Sequence, residues 1–463
     1  MTRFRLSRPK HDLHSPWSIE LFANDAERGE VDRVLRPGKP PSIVGQTSDG
    51  RSIEIPQLIW NRWEVGTGAL TGVTSEVVLG ADALTGPVNK QFVTMQLSPT
   101  PFAMQEKGLL FRRYTGEISA EPDMEVKGPP LYWESSRGRI TIALHYTYED
   151  ARVGESRSLV QIPVSTLTIV LETPGTSVNP REIMESLDGE IDDPLQLISY
   201  LSRCQVRCRA IRVLSHIGDK DRPDIHEMIV LRAGVFRAGE ASRDRPLANP
   251  HRMAPDGLNT LVGAFKQSPY REVLRSTMIH LVTTFDSPYV ELWLVGAFTA
   301  LETITNGIGA IDKTDLILEE GKFEKLRRHV KDAIRGHATT EAISDPQVKS
   351  IFRKLLELNR PPIVPRVMEL IERYNVEWKD LWPAVSLEQG LKAAFQLRNG
   401  LIHTGHVESG GRARIAAQRI HILVERLVFQ ILAGDQKWFD PTSFAQIHDI
   451  RALEWYLDNP TST

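Results

Sequence analysis

Cysteine is nearly missing from this chain: Cys204 and Cys208 are the two present in 463 residues. That scarcity excludes a disulfide-dense scaffold and a zinc site built from four cysteines, and it suits a reducing cytoplasm. Long apolar runs are also lacking. The longest, around Leu292 to Leu301, is about half of the ~20 residues that a membrane-crossing helix needs, so no segment is expected to span a bilayer. The basic, proline-interrupted stretch from Met1 to Trp17 has no apolar centre of the secretory kind and reads as a loose arm. Charge of one sign is not in excess. A net charge of -3 and a pI near 6.5 give no global attraction to nucleic acid or anionic membrane, so such contact has to come from local basic surface. Gly66-Thr67-Gly68 and Gly307-Ile308-Gly309 lack the strand, spacing and acidic partner of a dinucleotide site and read as turns, and no Gly-x4-Gly-Lys phosphate loop occurs.

What is present is enough apolar sequence, 41% against 25% charged, for cores of ordinary density. Single cores stop growing near ~250–300 residues, so a chain of this length divides. From about Ser18 to Thr173 apolar residues alternate, as in Ile140, Ile142, Leu144, Tyr146 and Tyr148 and in Leu167, Ile169 and Leu171. Turn clusters such as Arg36-Pro37-Gly38, Ser48-Asp49-Gly50 and Lys127-Gly128-Pro129-Pro130 separate the runs, as in an antiparallel sandwich or barrel. A helix over Pro180 to Leu201 and strands in Gln205–Leu214 and Ile225–Leu231 close this half, with Cys204 and Cys208 on one strand face.

Past Asp256 the period turns helical. Ser287-Pro288 and Asp345-Pro346 offer a cap residue followed by proline, Leu292 to Ile304 is an almost wholly apolar helix, and Ser386 with Gln389 has capping-box spacing. The last long helix is expected over Arg412 to Leu432, with Ile420, Leu423, Leu427 and Ile431 on one face and Gly434 as its stop. The expected architecture is therefore α+β: an arm over 1–17, an antiparallel β-rich sandwich-like domain over 18–255, a helical linker layer over 256–286, a helical bundle over 287–440 and a tail over 441–463.

In the helix after Ser386, Arg398, Asn399 and His403 form a polar knot among alanine, leucine and isoleucine. Asn399 and His403 are four apart and share a face, whereas Arg398 lies about 140° round from His403 on an unbroken helix. All three converge only where the helix starts, bends at Gly400, or meets a second copy across a two-fold axis. These residue types suit RNA transesterification, in which the neighbouring 2′-hydroxyl attacks the phosphate and leaves a cyclic phosphate. The substrate carries its own nucleophile. The remaining needs are proton transfer, which His403 can perform, and stabilisation of phosphorane charge, which the Arg398 fork matches; Asn399 holds the phosphate or orients His403. Neither a metal nor a cofactor is required by that chemistry. The plain alternative is a solvated helix face or a satisfied polar contact at a helix end, since an Arg-x4-His pair is common by chance.

The context is Leu-Arg-Asn-Gly-Leu-Ile-His over 397–403, then Thr404-Gly405-His406, a short polar loop and a long helix, with Leu301-Glu302 on the apolar helix upstream. This arrangement, from roughly Tyr289 to Ala433, resembles the HEPN superfamily, whose ribonuclease members carry an Arg-polar-x3-5-His motif near the last long helices. The resemblance implies a metal-independent endoribonuclease with a composite site across a homodimer or higher homo-oligomer: Arg398 for phosphate charge, Asn399 for positioning and His403 for proton transfer. A β-rich N-terminal domain before such a bundle is similar to the ApeA-like HEPN proteins of bacterial antiphage defence. That narrower likeness implies RNA cleavage that halts infected cells by abortive infection, with the N-terminal domain sensing a phage-derived trigger or restraining the nuclease. A second reading makes the bundle a dimerising scaffold and the β domain a binder of ligand, protein or nucleic acid.

Other residues carry weaker signals. An isolated carboxylate in an apolar helix is costly, so Glu302 either pairs with Arg398 or sits at an exposed edge. His406 either assists catalysis, forms half of a metal pair, or is a loop histidine, and the last is favoured. Arg412, Arg419 and Arg426 recur every seven residues as a candidate RNA-contact stripe, preferred over the basic run Lys322, Lys325, Arg327, Arg328, Lys331 and Arg335, which reads as a solvated face. In Glu121-Pro122-Asp123-Met124-Glu125-Val126-Lys127 the Pro-Asp and Glu-x-Lys elements of a metal-dependent nuclease stand too close to serve as its two strands.

Overall fold

The computed structural model describes residues 3–7, 17–22, 43–47, 51–55, 59–64, 69–74, 76–80, 88–97, 104–105, 108–114, 117–123, 131–153, 156–171, 180–218, 223–232, 247–248, 253, 256–284, 289–341, 343–406 and 410–434. Gly66-Thr67-Gly68, Ser287-Pro288 and the expected tail over 441–463 lie outside them. The class is α+β, with the strands and one long helix in the N-terminal half and the remaining helices in the C-terminal half. Two compact units meet in the chain at Gly263 and Ala264, a few residues beyond the expected end of the β domain.

The first unit is built on one large sheet. Leu131–Ser135, Gly138–Val153, Ser156–Leu171, Val88–Leu97, Cys208–Gly218, Pro223–Arg232, Glu76–Leu79, Ser52–Ile55 and Ile43–Gln46 lie side by side in that order, each antiparallel to the next. A short strand, Met104–Gln105, pairs parallel with Gly138–Val153. Alternation explains the core, because every second side chain of a strand faces one side. Register brings Trp133, Ile140, Ile169, Val93, Val213 and Met228 into one buried row across six strands. A four-stranded sheet and a two-stranded ribbon accompany it. The described strands thus form one dominant sheet with two small ones, where a sandwich was expected. The expected N-terminal arm contributes Arg3–Ser7, paired with Trp17–Phe22. Helix α1 (Pro180–Ser202) lies against Cys208–Gly218, and the Ser199 hydroxyl accepts from the Val206 N–H at 2.9 Å to close the turn between them. Cys204 is buried in that turn rather than on the strand that Cys208 begins.

The boundary between the units falls inside α2 (Gly257–Gln267). The second unit holds α3 (Arg271–Thr284), α4 (Val290–Asp312), α5 (Glu320–Thr340), α6 (Asp345–Lys354), α7 (Ile363–Arg373), α8 (Leu387–Thr404) and α9 (Gly410–Ala433). α3 packs on α4 as part of this unit rather than as a separate linking layer. Gly307 and Gly309 are helical instead of forming a turn, and close approach accounts for glycine at the first: a Cβ on Gly307 would stand 2.5 Å from the Val273 side chain. Among the described residues α4 is the one helix long and apolar enough to cross a membrane by length and composition, with a mean hydropathy of 1.3. It extends past the ten-residue apolar stretch seen in the sequence, and its inner face, including Leu294, Phe298, Leu301 and Ile304, is buried against α3 and α9. α9 is more deeply enclosed than a one-faced helix: Ala413 and Ile415 through Phe429 are all buried. Its stop is the expected one, Gly434 at φ +58°, whose N–H donates to Gln430 O.

Candidate active site

The motif-bearing helix α8 is fixed first at its N-terminus. The Ser386 hydroxyl accepts from the Gln389 N–H at 3.3 Å while the Gln389 side chain accepts from the Ser386 N–H at 3.2 Å, a reciprocal cap. Leu387, Gly390, Leu391, Ala394, Phe395 and Leu401 form the buried face. Gly390 admits Trp382 where a side chain would collide, and Phe395 meets Phe298 of α4 edge-on with ring centroids 4.7 Å apart. The helix then runs unbroken through Arg398, Asn399 and Gly400 to Thr404 and ends at Gly405, φ +71°, whose N–H donates to Leu401 O at 2.8 Å. It neither starts nor breaks at the motif.

An unbroken helix turns Arg398 to one side and Asn399 with His403 to another. Arg398 points toward α4, where its Nη2 lies 3.1 Å from both carboxylate oxygens of Glu302; the side chains retain 25% and 32% exposure. Its Nη1 donates to Asn399 Oδ1 at 3.2 Å. Arg398, Asn399 and Glu302 are therefore brought together. Asn399 and His403 are exposed one turn apart on the outer face, and His403 occupies the last turn. His406 lies just past the cap, exposed, its N–H donating to the Thr404 hydroxyl at 3.3 Å. The pairing of Glu302 has a physical reason: a carboxylate on the flank of an apolar helix is tolerated when a guanidinium meets it.

The arginine stripe is corrected by burial. Arg419 and Arg426 retain 7% and 5% exposure, and Arg412 is half-buried. The Arg426 fork donates to Asp380 Oδ1 at 2.6 Å and Oδ2 at 2.7 Å, and its Nη1 also donates to Glu377 O at 2.8 Å. Arg419 stacks over Trp382 with its Cζ 5.9 Å from the ring centroid, and burial pushes its guanidinium down to about 10. These two arginines hold the loop before α8 onto α9, so they are not available as an RNA-facing stripe. Sequence reasoning missed Glu377, Asp380 and Trp382 as their partners. The signal was the almost uninterrupted apolar sequence between the arginines, which marks a central helix. It also missed His421 and Glu425, one turn apart on α9, both buried, with Nε2 and Oε1 separated by 3.2 Å beside the Trp293 ring.

Chemically, the exposed end of α8 presents an imidazole and an amide on one face, with a guanidinium held at its flank by Glu302. Comparison with protein-family models, curated proteins and solved structures found no match.

Proposed function

We propose that the second unit is a HEPN-type endoribonuclease that cleaves RNA by 2′-hydroxyl transesterification at Arg398, Asn399 and His403, using no metal ion. The observation that carries this reading is the exposed Asn399–His403 face on a doubly capped helix packed along its other face, with Arg398 paired beside it to Glu302. As the 2′-oxygen bonds to phosphorus and the bond to the 5′-oxygen breaks, His403 takes the 2′-hydroxyl proton and returns it to the leaving 5′-oxygen, Arg398 stabilises charge on the phosphorane, and Asn399 positions phosphate or imidazole. Because Arg398 and His403 lie about 140° apart on one helix, a second copy bringing its own α8 to the same cleft completes the site, which makes a homodimer part of the mechanism. By its likeness to ApeA-like proteins, the β-rich unit senses a phage-derived trigger or restrains cleavage, and the setting is cytoplasmic antiphage defence.

The Arg398–Glu302 pair also favours a second reading, in which it is a structural ion pair and the bundle is a non-catalytic dimerisation scaffold. Wild type and His403→Ala, expressed in bacteria with and without phage challenge, separate the two. RNA ends bearing new cyclic phosphates in the wild type alone are the expected outcome. Identical RNA ends in both strains, with folded protein and intact protection, would leave the scaffold.

A further inference from the structure

The chain is net negative, yet α5 and α6 carry an excess of positive charge, with Lys325 and Arg328 exposed and Lys331 half-buried. Ala338 alone is fully buried among the described residues of α5. Three of its cations are neutralised locally: Lys322 by Glu319 at 3.5 Å, Arg327 by Glu324 at 2.6 Å and Arg335 by Asp332 at 3.1 Å. Lys325, Arg328 and Lys331 have no carboxylate within ion-pair distance among the described residues. They follow at three-residue steps, about 4.5 Å apart along the axis and about 60° round at each step, as a slanting strip. A hydrogen bond from Arg327 holds the Glu324 carboxyl below its ordinary range against an opposing effect of burial, and the fields of Arg327, Arg328 and Lys331 add to it.

Two cations are also set in place by an aromatic ring. Lys331 Nζ and Arg335 Cζ lie 5.4 Å and 5.3 Å from the centroid of Phe352 on α6, and the same helix exposes Lys349 and Arg353. The most exposed large apolar residue of α5, Leu326, projects about 160° from Arg328, so no apolar wedge of α5 stands within the strip; the exposed large apolar residue of α6 is the single Ile351. Cations without a wedge fit a phosphate backbone better than the interior of a lipid leaflet.

We propose that the α5–α6 hairpin is a docking surface for the phosphate backbone of single-stranded RNA, centred on Lys325, Arg328 and Lys331. In naming RNA it rests on the ribonuclease reading above. It takes the role first assigned to the arginine stripe of α9, of which Arg419 and Arg426 have their guanidinium groups occupied inside the bundle.

The full chain carrying His403→Ala is titrated with a labelled single-stranded RNA of mixed sequence across a salt series, alone and with Lys325→Gln, Arg328→Gln and Lys331→Gln combined. The combined variant is expected to bind about tenfold or more weakly, with a salt slope shallower by about 0.7 per lost phosphate contact and unchanged melting. Lys349→Gln with Arg353→Gln, on the other helix, is expected to weaken binding separately. Equal affinity and slope would overturn the proposal. So would RNA binding left intact by substitutions that abolish binding to phosphatidylserine vesicles, which would assign the surface to a membrane. Hairpin-dependent binding by a wild type that makes no cyclic phosphate ends sustains the surface and removes the ribonuclease; cleavage with hairpin-insensitive binding does the reverse.

Discussion

At the scale of single residues, the deciding question is where each charged group finds its partner. Arg398 and Arg426 both answer with a carboxylate, but in different surroundings. The Arg398–Glu302 pair keeps a quarter to a third of its surface in water, where an ion pair contributes modestly and leaves the guanidinium free to exchange partners. The Arg426 side chain is 6% exposed and engages both oxygens of Asp380, whose side chain is 26% exposed. Arg426→Ala strips that carboxylate of two charge-assisted bonds and is expected to cost about 2–3 kcal/mol. Arg426→Lys should recover only part, since an ammonium cannot make the two-pronged contact. Urea midpoints followed by helical circular dichroism measure both, and a loss under ~0.5 kcal/mol for the alanine variant would show that the pair does not hold the loop.

Among the elements, α8 carries the clearest contrast between position and residue type, in its two glycines. Gly390 is a packing glycine: a Cβ there would stand 2.3 Å from Trp382 Cδ1. Gly390→Ala is therefore expected to destabilise by about 1–3 kcal/mol through overpacking. Gly400 meets nothing within 4 Å and lies in regular helix, so Gly400→Ala should stabilise by about 0.5–1 kcal/mol by narrowing the unfolded ensemble. Thermal melts of the two variants should move in opposite directions. If Gly400→Ala gains stability while losing RNA cleavage, the bare backbone at that position is needed for substrate approach rather than for a bend. The caps of α8 were readable because they are local: Ser386, Gln389 and Gly405 act within a few residues of themselves. In α6 the same reading is displaced by one, since Ser344 rather than Asp345 is the cap and Gln347 closes the box.

For the whole molecule, two cores in one chain predict that unfolding departs from a single transition. Cys204 reports the first unit. Burial pushes its thiol up to about 11, against a lesser opposing hydrogen bond from Ser202. An unfolded thiol loses its proton near ~8.5, so the stability tied to this proton is whole below that pH and declines as pH climbs toward 11. In native protein at mildly alkaline pH, alkylation read by mass spectrometry should modify half-exposed Cys208 first and Cys204 only on opening of its unit. Along a denaturant series, the labelling midpoint of Cys204 should separate from the loss of helical signal in the second unit; coincident midpoints would show one cooperative transition. The sequence by itself determined the α+β order, the antiparallel alternation around Ile140 and Ile169, the capped helices and the polar knot at Arg398 to His403, because periodicity and capping are short-range. Only the tertiary structure decided which charges face water. Glu302 reaches Arg398 across 96 positions and Asp380 reaches Arg426 across 46. A seven-residue arginine spacing reads the same on a solvated helix as on a central one, until the elements packed around it remove the water.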